Sequence, residues 1–329
     1  MNVVYASNDN YVRHLAVSMI SLLDRNQEME ELTVYILSIG LSEENRSGLE
    51  KIAMQYKRQI QMIELNDIES RFDHAVDTGG FDISVMSRLF IGQLLPESVE
   101  RVLYLDCDTV VAQPLTKLWN LDLRGNVLAA VMEPTIYDAV KEEIGLGKED
   151  PYYNAGVLLI DLKLWRETRA EKRILDFYRE KDGHLFANDQ DTINGVLKEE
   201  ILPMSPRYNF FTNYRYFSYE NLLSHAGYYK AVTKEMFVTA KRHPAIIHYM
   251  GDERPWIAGN FNHYRKAYEH YLAMTPWADT PKEKGKEWYM IAYHLMDYAT
   301  VIWPEVRWLI SRKFGMKAVN ARKHRNSKK

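Results

Sequence analysis

The sequence predicts an α/β protein built on a mostly parallel sheet, with a helical appendage at its C-terminal end. Short apolar runs alternate with amphipathic stretches over the first two-thirds of the chain, the pattern of strands linked by crossover helices. No Pro/Gly/Ser-rich linker or internal repeat divides the first 260 residues, so they read as one domain. Beyond residue 260 only helical patterns remain.

Taken in order, NVVYA (2–6) is a short strand, and 11–24 carries an apolar stripe at Leu15, Met19, Leu22 and Leu23, as a buried helix face requires. LTVYILSI (32–39) is a second strand. SEENRSGLEKIAMQY (42–56) is a helix opened by Ser42 and rich in first-turn acids. IQMIEL (60–65) is a strand and VMSRLFIGQLL (85–95) a helix, followed by the strands RVLYL, NVLAAVM (126–132) and NAGVLLIDL (154–162). In the last third, 261–274 and 286–303 are helical and Pro276, Pro281 and Pro304 punctuate them. Trp288, Ile291, Ala292, Leu295, Ala299, Ile302 and Trp303 share one face of the second helix.

Of the 329 residues, 46% are hydrophobic and 26% charged, an ordinary soluble composition. A single cysteine forms no internal disulfide and suits a reducing compartment. The opening residues lack a basic start before a long apolar core, so no signal peptide is expected. No run reaches the length of a transmembrane helix. The net charge of −3 is unevenly placed: Ser311 to Lys329 holds eight Lys/Arg and no acid, leaving −11 on the rest.

The run RVLYL ends in Asp106 and Asp108, with Cys107 between them. On an extended strand, residues two apart point to the same side, so both carboxylates can converge on one hard cation, Mg²⁺ or Mn²⁺. The strand's C-terminal edge is where open α/β sheets bind ligands. A DxD triplet alone is weak, since solvated acids in a turn give the same letters. Four further stretches add polar groups at strand or helix ends: YASNDNY (5–11), YYNAGVLLIDL (152–162), HLFANDQDTINGVL (184–197) and IIHYMGDERPW (246–256).

In this order and spacing, these motifs together with SRLFIGQLLP (87–96) resemble the retaining glycosyltransferases of family 8, from residue 2 to about 260. The resemblance implies a GT-A fold, a Rossmann-like, nucleotide-sugar-binding mixed sheet, spanning residues 1–260. Residues 261–329 then form a helical region with a basic tail. It also implies a hexosyltransferase that moves glucose or galactose from a UDP-sugar to a saccharide or lipid-linked acceptor. Asp106, Asp108 and His248 match the family's metal ligands, for Mn²⁺ with Mg²⁺ as the alternative. Gly251 and Arg254 match the loop over the diphosphate, with arginine where the family usually has lysine. Arginine offers a planar fork to phosphate oxygens, while Asp252 beside it must turn away to avoid repelling them. Ala6, Asn8, Asn10 and Tyr11 fall where the family grips uridine, and Asn8 replaces a frequent aspartate. Arg88, Asn154, Asp189 and Gln190 match residues lining the donor sugar. Asp189 and Gln190 are the catalytic candidates, and an amide at 190 favours front-face attack over a covalent glycosyl-enzyme.

The aromatic and basic C-terminal region, with Trp303 and Trp308, resembles an interfacial anchor for an anionic membrane. The expected location is therefore cytoplasmic, peripheral on the inner membrane face, and the expected partners include no nucleic acid. Two other classes fit parts of the pattern. One is a Mg²⁺-dependent phosphohydrolase using the Asp-x-Asp pair, for which the later acids and lysine are not found. The other is a catalytically silent carbohydrate-binding relative, for which three intact site acids and ligands would be superfluous.

Overall fold

A computed structural model describes the whole chain except residues 66, 79–81, 253, 312 and 314–329. Nearly all of the basic tail therefore lies outside the described residues. Ten strands are described: β1 (Asn2–Asn8), β2 (Thr33–Ile39), β3 (Gln59–Glu64), β4 (Arg101–Leu105), β5 (Thr109–Val111), β6 (Leu128–Met132), β7 (Tyr153–Asp161), β8 (Ile201–Pro203), β9 (Phe210–Phe211) and β10 (Ile246–His248). Seven form one sheet in the order β3-β2-β1-β4-β7-β6-β8. β7 runs antiparallel to both β4 and β6, while the other four pairings are parallel. The sheet is thus mixed and mostly parallel.

The central strands are buried on both faces, which is why they read as continuous apolar runs. Val102, Leu103, Tyr104 and Leu105 of β4 are each at most 1% exposed, and such burial stabilises by roughly 1.5–3 kcal/mol per large side chain. Helix α1 (Val12–Arg25) lays Leu15, Met19, Leu22 and Leu23 on one side of the sheet. α2 (Glu43–Gln55) begins where Ser42 accepts from the Asn45 amide at 3.4 Å. The 85–95 stretch differs from the uniform helix expected, being a 3-10 helix over Ile83–Phe90 followed by an α-helical turn over Ile91–Leu94. α3 (Ala170–Glu180) and α4 (Asn188–Leu197) cover the other side.

A small second sheet, β5-β10-β9, stands beside the large one. Its antiparallel register sets His248 opposite Thr109, next to Asp108. The last long helix, α5 (Glu287–Ile302), packs its His294, Asp297 and Thr300 inward. Trp308 is also buried and donates to Asn221 at 3.0 Å, so it is not free to serve with Trp303 in the interfacial anchor expected from sequence. Among the described residues, no helix is long and apolar enough to cross a membrane.

Candidate active site

The chain leaves β4 and turns sharply before β5, so Asp106 and Asp108 lie in a turn rather than on a continuing strand. They still converge. The Asp106 amide donates to the Gly156 carbonyl at 2.8 Å, and the Asp108 carbonyl accepts from the Tyr249 amide at 2.9 Å. Cys107 between them is buried, its thiol directed to the Ala6 carbonyl at 3.1 Å. One ligand atom each from Asp106, Asp108 and His248 lies within 4.8 Å of the other two. His248 Nε2 is 3.1 Å from Asp108 Oδ1 and 3.9 Å from Asp106 Oδ2.

The donor set fits a divalent cation, and two features fit it further. A Cβ at Gly156 would strike the His248 ring and stand 2.7 Å from Asp106 Oδ2, so the missing side chain opens the space between ligands. The Asn209 amide nitrogen donates to Asn154 Oδ1 at 2.8 Å, so its oxygen faces His248 Nδ1, also at 2.8 Å. Nδ1 therefore carries a proton, and Nε2 is the atom presented to the carboxylates. Burial opposes charge on His248, but the hydrogen-bonded Asp108 carboxylate reverses this and raises its pKa. Burial likewise works against a charged Asp108, and His248 outweighs it, lowering the Asp108 pKa.

Arg88, expected to line the donor sugar, is buried and spends its guanidinium on the protein. It donates to Asp106 Oδ1 at 2.8 Å and the Ala155 carbonyl at 2.6 Å, and its Nε lies 3.0 Å from Asp189 Oδ2. Burial alone would weaken its charge, but Asp106 and Asp189 hold it protonated. Burial lifts Asp189 to about 6, with Arg88 opposing. Asp189 follows Asn188, whose φ of 39° is unusual for a non-glycine residue and is tied down by its own side chain to the Thr78 carbonyl at 2.9 Å.

Asn154 and Gln190 form a closed polar network. Asn154 Nδ2 donates to Glu133 Oε2 at 3.0 Å and Gln190 Oε1 at 2.9 Å, while its oxygen accepts from Gly156 and Asn209. Gln190 Oε1 also accepts from the Ala155 amide at 3.0 Å, and Nε2 donates to Glu133 and to Tyr152, each at 3.1 Å. Glu133 is buried, which raises its pKa against the hydrogen bonds from Asn154 and Gln190. Sequence reading missed Glu133 and Asn209. Glu133 had a signal, an acid directly after the apolar strand β6, the same pattern that exposed Asp106.

At the first strand's end, Asn8 Nδ2 donates to Asp82 Oδ2 at 2.6 Å, and its oxygen accepts from the Tyr11 amide at 3.1 Å. Asn10 is exposed and Ala6 half-buried. Tyr11 joins this end to the DxD: burial pushes its pKa up to about 12, with Arg254 opposing and Asp108 adding to the rise. Gly251 has φ 70°, a conformation glycine adopts without strain. Arg254 lies 5.7 Å over the Trp256 ring, and its buried Nε has no hydrogen-bond acceptor among the described residues, which suits it to an anionic ligand. Asp252 turns away, accepting from the Tyr289 hydroxyl at 2.9 Å.

A mixed α/β sheet that presents an Asp-x-Asp turn and a histidine at its strand ends, beside an arginine and a closed amide network, defines a GT-A glycosyltransferase. The sequence profile of Glycosyl transferase family 8 matches residues 2–259. The chain belongs to that family and is a hexosyltransferase. It is 28% identical over 280 residues to general stress protein A of Bacillus subtilis, covering 84% of this chain and 94% of that one. It is 28% identical over 288 residues to the lipopolysaccharide 1,2-glucosyltransferase of Escherichia coli, covering 87% and 81%. Among solved structures it is similar to the galactosyltransferase LgtC in complex with donor and acceptor sugar analogues. The TM-score there is 0.70 at 26% identity, over 88% of this chain and 99% of the other. The phosphohydrolase reading is not favoured by these findings.

Proposed function

We propose that the protein is a retaining glycosyltransferase that moves glucose or galactose from a UDP-sugar to a saccharide or lipid-linked acceptor. The observation that carries this is the Asp106–Asp108–His248 cluster, within 4.8 Å, at the strand ends of a family 8 chain. The similarity to a lipopolysaccharide glucosyltransferase and to a galactosyltransferase supports a hexose donor and a saccharide acceptor.

In this reading Asp106, Asp108 and His248 hold Mn²⁺, or Mg²⁺, which when bound neutralises charge on the leaving diphosphate. Arg254 supplies a further fixed cation there, and Gly251 lets the backbone approach phosphate. Asn8, Ala6, Asn10 and Tyr11 meet the uridine. The Asp82 contact orients the Asn8 amide so that its oxygen, with a second lone pair, accepts from the uracil N3–H. Arg88 acts by fixing Asp106 and Asp189. Asp189 then faces the sugar hydroxyls, whereas Asn154, expected from sequence to line the sugar, has both amide hydrogens and both oxygen lone pairs engaged within the protein and acts by positioning Gln190.

Both lone pairs of the Gln190 oxygen are engaged, by Asn154 and the Ala155 amide. An amide so bound is a poor nucleophile, which favours attack on the sugar's same face. The bond from the anomeric carbon to phosphate breaks as the acceptor oxygen bonds to that carbon. The acceptor's proton passes to the departing phosphate oxygen.

Residues 1–260 are the catalytic domain in this reading, and 261–329 form a membrane-associating region at the cytoplasmic face. An ordinary surface helix hides its apolar stripe. Helix α5 does the reverse: Trp288, Leu295 and Ile302, with Trp303 just beyond its end, are 63–84% exposed while His294, Asp297 and Thr300 are buried. The eight Lys/Arg that follow supply charge complementary to anionic lipid.

The test of the donor site is calorimetric titration with UDP, in Mn²⁺ and in EDTA, on the protein and its Asp108→Asn variant. Mn²⁺-dependent binding that the variant loses is the expected result, followed by turnover assays with UDP-glucose and UDP-galactose. A folded protein that binds no UDP in Mn²⁺ would overturn the reading.

A further inference from the structure

The loop that carries Gly251 and Arg254 is held from behind by the C-terminal segment. The Glu283 amide donates to the Trp256 carbonyl at 2.9 Å, and the Ala258 amide to the Glu283 carbonyl at 2.8 Å, around a parallel bridge between Ile257 and Glu283. The Glu283 carboxylate holds Arg13 of α1 at 2.8 Å. Helix α5 adds two tethers. The Tyr289 hydroxyl donates to Asp252 Oδ2 at 2.9 Å, and the Phe261 amide to His294 Nε2 at 2.9 Å. His294 therefore carries its proton on Nδ1 and gives it to Asp297 Oδ2 at 3.2 Å, while Asp297 also pairs with Arg307. Gly259, at φ 79°, lies so near the Glu287 backbone that a Cβ there would meet its Cα at 2.9 Å.

The helix that bears these tethers is poorly secured by hydrophobic burial. Its inward face is mainly polar and its apolar face is exposed. Helices in proteins owe most of their stability to tertiary packing of an apolar face, and α5 leaves that face outside. A ligand that covers the outer face would favour the seated helix, and with it the tethered loop. Any such ligand must be coupled to whatever the loop binds, by the same factor in both directions.

We propose that anionic lipid on the outer face of α5 raises the affinity of the donor site, through the Tyr289–Asp252 and His294–Phe261 contacts with the Arg254 loop. This rests on the membrane and donor readings above. Tyr289 and His294 are positioning residues in it, since neither reaches the diphosphate site itself. The coupling is reciprocal, so UDP with Mn²⁺ tightens the protein on vesicles by the same factor.

The test is equilibrium dialysis of UDP with the full chain in Mn²⁺, with and without vesicles of mixed phosphatidylglycerol and phosphatidylcholine, alongside vesicle sedimentation. The expected result is a UDP Kd at least about fivefold lower with vesicles, the lower end of ordinary allosteric coupling. Tyr289→Phe should sediment with vesicles as before and lose most of that gain. The double variant Trp288→Ser, Leu295→Ser should sediment more weakly and lose the gain even on vesicles that its basic tail still holds, with its UDP affinity in solution unchanged. Vesicle binding that leaves the UDP Kd unchanged would overturn the coupling and leave the membrane reading standing. No sedimentation at all would overturn the membrane reading and the coupling with it, and no UDP binding in either condition would overturn the donor reading and the coupling.

Discussion

His248 can offer a cation only one nitrogen, and the atom that enforces the choice is Oδ1 of Asn209. Replacing Asn209 by alanine leaves Nδ1–H without its acceptor at 2.8 Å and takes from Asn154 one of its two donors, the Gly156 amide remaining. Outer partners of this kind are worth about 10–100-fold in metal affinity. Asn209→Ala should weaken Mn²⁺ binding by that order, read by electron paramagnetic resonance of free Mn²⁺, and should cost about 1–3 kcal/mol of stability for the unpaired groups. Gly156→Ala is the harsher test, because its methyl would enter the space between His248 and Asp106. It should abolish Mn²⁺ binding while the far-ultraviolet dichroism stays native, and retained Mn²⁺ affinity would remove this geometry from the account. At this scale the sequence is readable where chemistry is local. Asp106 and Asp108 advertise themselves by spacing, whereas Asn209 meets His248 across 39 positions and Glu133 meets Asn154 across 21. Pairs that distant leave no spacing to read. The pairing of Arg88 is hidden for the same reason: its two carboxylate partners, Asp106 and Asp189, come together only in the fold.

Elements longer than about five residues were legible because burial writes itself as apolar runs and stripes. β1, β2, β4, β7 and α1 fall where those patterns put them. Strand direction leaves no such mark, so the reversal of β7 could not be read. β5, β9 and β10, two or three residues each, are too short to carry a period, yet β10 delivers His248. One helical element also carries a testable electrostatic cost. Glu171 in the first turn of α3 is 7% exposed and packed against Gly92. Burial pushes its pKa up from 4.5 to about 7, with the Gln93 backbone and Arg71 opposing. The native state therefore holds this proton where the unfolded chain has lost it, and stability must fall as pH rises between those two values. Well above pH 7 the loss is complete, on the order of 3 kcal/mol. Glu171→Gln mimics the protonated acid, so its melting temperature should match the parent near pH 4 and exceed it by several degrees at pH 8. Parallel pH profiles for the two proteins would mean that Glu171 ionises in the fold without cost.

On the scale of the whole molecule, the chain is two opposed charge distributions joined by an apolar helix face. The residues before Ser311 carry −11, and the last nineteen carry eight basic groups and no acid. In the proposed membrane reading, the acidic body is repelled by an anionic surface, so the tail would lead the approach before Trp288, Leu295 and Ile302 of α5 reach the headgroup region. The two contributions differ in their response to salt. Each basic side chain near an anionic membrane is worth about 1 kcal/mol within a Debye length, and that length shrinks from about 10 Å at 0.1 M salt to about 3 Å at 1 M. Apolar insertion is not screened. Binding to phosphatidylglycerol vesicles should therefore fall steeply between low and high salt to a plateau, and the plateau should match binding to phosphatidylcholine vesicles. Replacing the six Lys/Arg from Lys317 onward by serine should remove the steep part, by at least about tenfold in partition coefficient at low salt, and leave the plateau where it was. Trp288→Ser with Leu295→Ser should do the opposite, lowering the plateau and keeping the salt slope. If the serine tail binds with the parent's salt dependence, the attraction must come from basic groups on the body, and the charge asymmetry has no part in docking.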